Sequence, residues 1–162
     1  MKKVMISLAF GLLATAVIAQ SGNSVKSEVA FRDAKVEIAY KNYLQLKDAL
    51  VASKTDAAKE AAGKLKTSLA SVKEGKNAMT EATKISSATS LDEIRKTFAS
   101  LSTEMKTVVK ADQLSKGELY LEYCPMANNN TGAYWLSNEK EIRNPYFGDK
   151  MLKCGSVKET IH

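Results

Sequence analysis

Histidine is almost missing from this chain: there is one, at position 162. No Ser/His/Asp or Cys/His set can be assembled around a residue at a fraying end, which removes the commonest routes to nucleophilic and acid–base catalysis. Neither an HExxH pair nor a glycine-rich phosphate loop is present. Carboxylates are plentiful, but spaced as on solvated helix faces, so no enzyme is expected. Proline is scarce too. Both prolines, Pro125 and Pro145, lie in the last third, and no proline in residues 20–116 breaks a helix. A clustered basic patch is also lacking, and nucleic acid is not expected as a partner.

Long apolar runs are absent with one exception. Val4 to Ala19 is nearly all apolar and follows Lys2 and Lys3. A membrane-spanning helix needs about 20 apolar residues; this run is shorter and ends in Val17-Ile18-Ala19, a processing site of small or modest side chains. Residues 1–19 are therefore read as a cleaved signal peptide, with Gln20 as the first mature residue. No cysteine stands near the cut to take a lipid. The mature chain is expected to be periplasmic, exported and soluble, with no stable membrane insertion. Its formal charge falls from +6 to 6 − 2 = +4 as Lys2 and Lys3 leave.

What remains divides near Gly117. Residues 20–116 are rich in Ala, Lys, Ser and Leu. Val36, Tyr40, Tyr43, Lys47 and Leu50 recur at helical steps, the stem of Lys47 lying along an otherwise apolar stripe. Ala58, Ala62, Leu65, Leu69 and Val72 repeat the pattern. So do Leu91, Ile94, Phe98, Leu101, Met105 and Val108. Ser90 and Glu93 form a capping box at the start of the last stripe, and a shorter helix is expected over residues 78–85. Each stripe needs a partner and the connections are short. The fold class is thus mainly α: an antiparallel bundle of three long helices and one short one, with a small C-terminal cap containing short β-strands. Signal, bundle (20–116) and cap (117–162) make one domain overall.

The cap differs in composition. Residues 117–162 hold both prolines, both cysteines, the only tryptophan and four of the eight glycines. Residues 118–123 alternate as a strand does, with Leu119, Leu121 and Tyr123 on one side. Residues 128–132 are a turn cluster, 133–136 a short apolar run, and 156–161 a second alternating stretch able to pair with the first. Cys124 and Met126 are two apart, which puts them on one face if the chain is extended. Met151 and Cys154 are three apart, which puts them on one side of a helical turn. Two thiolates and two thioethers form a soft donor set that selects Cu(I) over hard ions. The other reading is a structural disulfide closing the 29 residues between positions 124 and 154, a staple of about 2–4 kcal/mol. In that case the cap is an interaction module without metal, presenting Tyr134, Trp135 and Tyr146 to a protein partner. His162 is a marginal extra ligand.

The run YCPMANNNTGAYWLSNEKEIRNPYFGDKMLKCG, from Tyr123 to Gly155, resembles the signature of an exported bacterial family catalogued as a domain of unknown function. YKNYLQLKDALVASKTDAAKEAAGKL, from Tyr40 to Leu65, is similar to that family's first part. Members occur alone and fused to periplasmic adaptor subunits of heavy-metal efflux pumps of the copper and silver class. The resemblance implies metal handling, copper foremost. It makes an efflux adaptor or another periplasmic protein the expected partner. Its CPM and MLxCG elements fall on Cys124, Pro125 and Met126 and on Met151, Leu152, Cys154 and Gly155. The expected metal ligands are thus Cys124, Met126, Met151 and Cys154, holding Cu(I). The leader is tested directly: N-terminal sequencing of the exported protein should begin at Gln20, and a product that keeps Met1 would refute the cleavage site.

Overall fold

The computed structural model describes Lys26 and residues 28–162. The leader read in residues 1–19 lies outside them. The chain is helix-rich with two small antiparallel sheets. A two-residue strand, β1 (Ala30–Phe31), precedes four helices: α1 (Ala34–Val51), α2 (Thr55–Leu69), α3 (Lys76–Ser87) and α4 (Leu91–Asp112). Then come β2 (Leu114–Lys116), β3 (Leu119–Cys124), β4 (Ala133–Ser137) and β5 (Ser156–Ile161). Among the described residues no helix is long and apolar enough to cross a membrane.

Local chemistry fixes the helix starts. Asp33 caps α1 by accepting from the Lys35 N–H at 2.8 Å, and its own N–H donates to the Asp112 carboxylate at the far end of α4 (3.0 Å). Ser90 caps α4, its hydroxyl accepting from the Glu93 N–H at 3.2 Å. The return bond of the expected capping box is displaced by one residue. Glu93 Oε2 accepts from the Thr89 N–H (2.8 Å) and hydroxyl (3.1 Å), because Thr89 offers two donors to one carboxylate oxygen. The helix dipole favours the same charge at this end.

The three stripes are buried. Tyr43, Leu46 and Leu50 on α1, Leu65 and Leu69 on α2, and Ile94, Phe98, Leu101 and Met105 on α4 all lie in the core, where α3 adds Ala78, Ala82 and Ile85. Each helix packs against the next, and α1 also meets α4. β1 and β2 pair beside the helix ends, a contact absent from the sequence reading, since two strands of two and three residues leave no alternation to read.

The second sheet has the order β4-β3-β5, with β3 in the centre and both partners antiparallel to it. The expected pairing of 156–161 with the first strand of the cap is present, Leu119 lying opposite Ile161. β3 is buried on both faces rather than one: Leu119, Tyr120, Leu121, Glu122 and Cys124 are all enclosed. A line of rings joins helices to sheet, with centroid separations of 5.4 Å for Tyr43–Phe98, 5.8 Å for Phe98–Tyr146 and 5.9 Å for Tyr146–Trp135, in the range where aromatic pairs attract beyond their area burial. Arg95 on α4 adds a latch, donating to the Pro145 carbonyl (3.0 Å), the Leu50 carbonyl (3.2 Å) and the Ser53 hydroxyl (3.0 Å).

Phe98 sits at the middle of that line and is fully buried. Phe98→Ala should cost about 3–5 kcal/mol of unfolding free energy, the range for large-to-small changes in a tight core. Chemical denaturation measures it, and a loss below about 1 kcal/mol would show that the neighbouring rings collapse into the space.

Candidate functional site

Cys124 is the last residue of β3, opposite Ala133 in the ladder, and is completely enclosed. Cys154 follows a tight turn closed by its own N–H donating to the Met151 carbonyl at 3.0 Å. The buried Asn144 clamps this turn from both sides. Its N–H donates to the Leu152 carbonyl and its side-chain amide to the Cys154 carbonyl, each at 2.8 Å. Gly155 then passes close under Trp135 with φ +142°. A β-carbon there would lie 2.9 Å from the indole ring and 2.9 Å from the Tyr123 carbonyl oxygen, so only glycine lets the backbone through. The result is convergence across 30 positions: the two sulfurs stand 2.9 Å apart as free thiols. Cys154 is only partly buried. A hydrogen bond with Cys124, and then burial, push its thiol pKa up, since both favour the protonated form.

The thioethers take different places. The extended geometry that would align Met126 with Cys124 ends at Cys124, because Pro125 and Met126 begin a turn. Met126 is 46 % exposed and lines a surface cavity of about 680 Å³ with Arg95, Asn128, Tyr146 and Phe147, a cavity that neither cysteine lines. Asn128, Asn129 and Asn130 form its rim, all with positive φ (52°, 57° and 63°); asparagine is the non-glycine residue that best tolerates this region. Met151 belongs to the turn that carries Cys154 and is half-buried. His162 follows the end of β5 that lies opposite Leu119, at the far end of the sheet from Cys124. Of the three aromatics assigned to a partner-facing surface, only Tyr134 is exposed, at 40 %. Trp135 and Tyr146 are buried, edge to face, with the Tyr146 hydroxyl donating to the Tyr134 carbonyl at 2.5 Å.

A second polar cluster escaped the sequence reading. Lys47 does not run its ammonium out to water: the residue is 1 % exposed and pairs with Asp48 at 3.0 Å. Lys26 bridges Asp48 (3.1 Å) and Glu139 (3.2 Å). Glu122 on β3, directly across the ladder from Trp135, is fully buried, and neither carboxylate oxygen has a hydrogen-bond partner. Burial pushes its pKa up to about 8. The charge of the Lys47 ammonium opposes this and Glu139 adds to it. The Tyr40 hydroxyl, also buried without a partner, is held well above its ordinary value by burial and by the nearby Tyr43, Glu122 and Asp48. The signal available in sequence was a lysine on an apolar stripe together with a glutamate in phase with Tyr120 and Cys124. Among the described residues no group of three or more His, Cys, Asp or Glu is placed to hold a metal ion; the sulfur set has two cysteines, and its other members are methionines.

These features define a helix-rich protein whose short C-terminal sheet, with the turn before β5, brings two distant thiols together. Residues 39–117 match a family described as "Protein of unknown function (DUF3347)". The match runs from Ala39 in α1 to Gly117 and stops before both cysteines. No curated protein and no solved structure matches the chain.

Glu122 yields a pH prediction. Its folded pKa of about 8 lies above the ordinary 4.5, so the folded state holds a proton that the unfolded state has released. The stabilisation is complete below about pH 4.5 and is lost as pH rises towards 8. At about 1.4 kcal/mol per tenfold change in proton affinity, the loss amounts to a few kcal/mol. Glu122→Gln, neutral at every pH, should flatten this slope in denaturation curves taken from pH 5 to 9; an unchanged slope would assign it to other groups.

Proposed function

We propose that this chain is a periplasmic soft-metal protein, a carrier or an accessory to heavy-metal efflux, that holds Cu(I) between Cys124 and Cys154. The observation that carries the reading is the convergence of these two thiols, 2.9 Å apart, at the end of a buried strand and on a clamped turn. Thiolate bonds of about 2.3 Å, borrowed from zinc, let two sulfurs share one ion up to about 4.6 Å apart. The pair is inside that limit, and a side-chain rotation at the partly exposed Cys154 opens the space. Soft sulfur is the right donor type for a cuprous ion, and Trp135 beside Gly155 supplies the apolar wall that shields such an ion from water. Met151, on the same turn as Cys154, is the nearer thioether in the chain's path, and Met126 would have to swing from its cavity. The resemblance of the Tyr123–Gly155 run to a family found fused to copper and silver efflux adaptors points the same way. It also makes an adaptor subunit the partner to test first.

The separation favours a second reading as well. At 2.9 Å the sulfurs are closer than unbonded atoms usually sit, and a disulfide requires only a small further approach. The chain would then be a stapled interaction module, with Tyr134 as the exposed aromatic of its surface.

Anaerobic titration of the reduced mature protein against a chromophoric Cu(I) chelator separates the two. One Cu(I) per chain should bind, Cys124→Ser or Cys154→Ser should weaken binding by orders of magnitude, and Met126→Leu or Met151→Leu should have smaller effects, a neutral thioether being the weaker donor. Because the Cys154 thiol holds its proton tightly, copper must displace it, and affinity should fall as pH is lowered. Equal copper binding by the Cys124→Ser, Cys154→Ser double variant would remove the site and leave the stapled module.

A further inference from the structure

The two sulfurs are unequal in a way that the metal reading does not use. Cys124 is 0 % exposed, fixed in the ladder opposite Ala133 and enclosed in the core. Cys154 is partly exposed, on a turn at the surface, with its backbone held by Asn144 and its side chain reaching back to Cys124. Thiol–disulfide exchange is a directional reaction. The incoming thiolate attacks one sulfur along the line of the bond and the other sulfur leaves. An external thiol can reach a sulfur at the surface and cannot reach one in the core without unfolding the strand that carries it.

We propose that Cys124 and Cys154 form a thiol–disulfide exchange site, with Cys154 as the entry sulfur, Cys124 as the buried resolving sulfur, and an external dithiol–disulfide carrier as the partner. In the reducing direction a thiolate of the carrier attacks Cys154 Sγ. A mixed disulfide forms there, the Cys124–Cys154 bond breaks, and Cys124 Sγ leaves with the electron pair and takes up a proton. The carrier's second thiol gives up its proton and attacks its own sulfur in the mixed disulfide, which expels Cys154 as a thiolate that is then protonated. The sum is one carrier dithiol oxidised to a disulfide and one protein disulfide reduced to two thiols: two electrons and two protons pass across. The oxidising direction retraces the same steps, with Cys154 attacking the carrier's disulfide and Cys124 resolving.

Two features of the fold fit this asymmetry. Gly155 under Trp135 and the Asn144 clamp keep Cys154 over Cys124 while the mixed disulfide exists, so resolution is intramolecular. The turn from Met151 to Cys154 stands between a three-residue 3₁₀ turn (Gly148–Lys150) and β5, where an approaching partner meets a short loop rather than a sheet. The site operates with or without metal; a pair that must be reduced before it can supply thiolates to copper would use it as the preceding step.

The test is run in chelator without metal, so that its failure leaves the copper titration untouched. Wild-type protein is oxidised with the cyclic disulfide of dithiothreitol, desalted, exposed briefly to glutathione, quenched in acid and mapped by peptide mass. The adduct should fall on Cys154, with Cys124 recovered as a free thiol. Alongside, Cys124→Ser, which leaves the surface thiol alone, should react with an aromatic disulfide reagent. Cys154→Ser should react about a hundredfold more slowly until denaturant exposes Cys124, since access controls thiol reactivity. An adduct on Cys124, an even split between the two, or no intramolecular disulfide in the oxidised wild type would each overturn the assignment. The wild-type mapping decides the matter even where a serine variant folds poorly.

Discussion

The hydroxyl of Tyr43 is the point on which helices and sheet depend together. It lies in the core on α1, stands 2.8 Å from the Ser102 hydroxyl on α4, and accepts the Leu136 N–H of β4 at 3.0 Å. Burial lifts its pKa, so the phenol stays neutral and can donate to Ser102 while it accepts from Leu136. A buried amide left without its acceptor costs about 1–3 kcal/mol. β4 therefore has an energetic reason to stay where Tyr43 places it, and β3 follows through the ladder. The position of Cys124 is inherited from that arrangement: the sulfur sits at the end of a strand whose partner strand is hydrogen-bonded to the oldest part of the core in chain order, the first helix.

The same dependence explains which parts of the protein were legible in its sequence. The three stripes were, because burial on a helix repeats every three or four residues and needs no knowledge of the partner. The strands of the cap were too, in position and in the pairing of the first with the last, since alternation and the asparagine-rich turn mark them locally. Cys124 and Cys154 could be paired from the strands and turns between them. Other features had no local mark. Lys47 looked like a lysine using its stem as apolar surface. Its burial follows from Asp48 and from Glu122, which approaches from a strand far along the chain. Met126 was placed with Cys124 by carrying the extended chain past the end of β3, although Pro125 already begins the turn. Trp135 and Tyr146 faced outward only in the stapled-module reading; as the small core of the cap, the simplest reading of an aromatic cluster, they are where the structure has them.

Glu122 and Cys124 are two apart on β3 and therefore share a face. The ionisable cluster and the thiol pair are thus neighbours within a single short strand. The strand tolerates a carboxyl group because that carboxyl keeps its proton, and a neutral acid is far cheaper to bury than a carboxylate. A central strand with six enclosed or half-enclosed residues, one of them a carboxylic acid, is stable only where its neighbours supply both hydrogen bonds and a compatible electrostatic surrounding, and here α1 supplies much of the latter.

The pairing of β1 with β2, together with the bond from the Asp33 N–H to Asp112, has a consequence for how such a unit can be used in larger proteins. The chain enters the four helices and leaves them at adjacent points on one side. A segment whose ends lie side by side can be spliced into a surface loop of a host without prising the host's loop apart, which is the condition under which domain insertion succeeds. The helical part is in this sense a cassette, and the thiol-bearing sheet that follows it is attached at the same doorway.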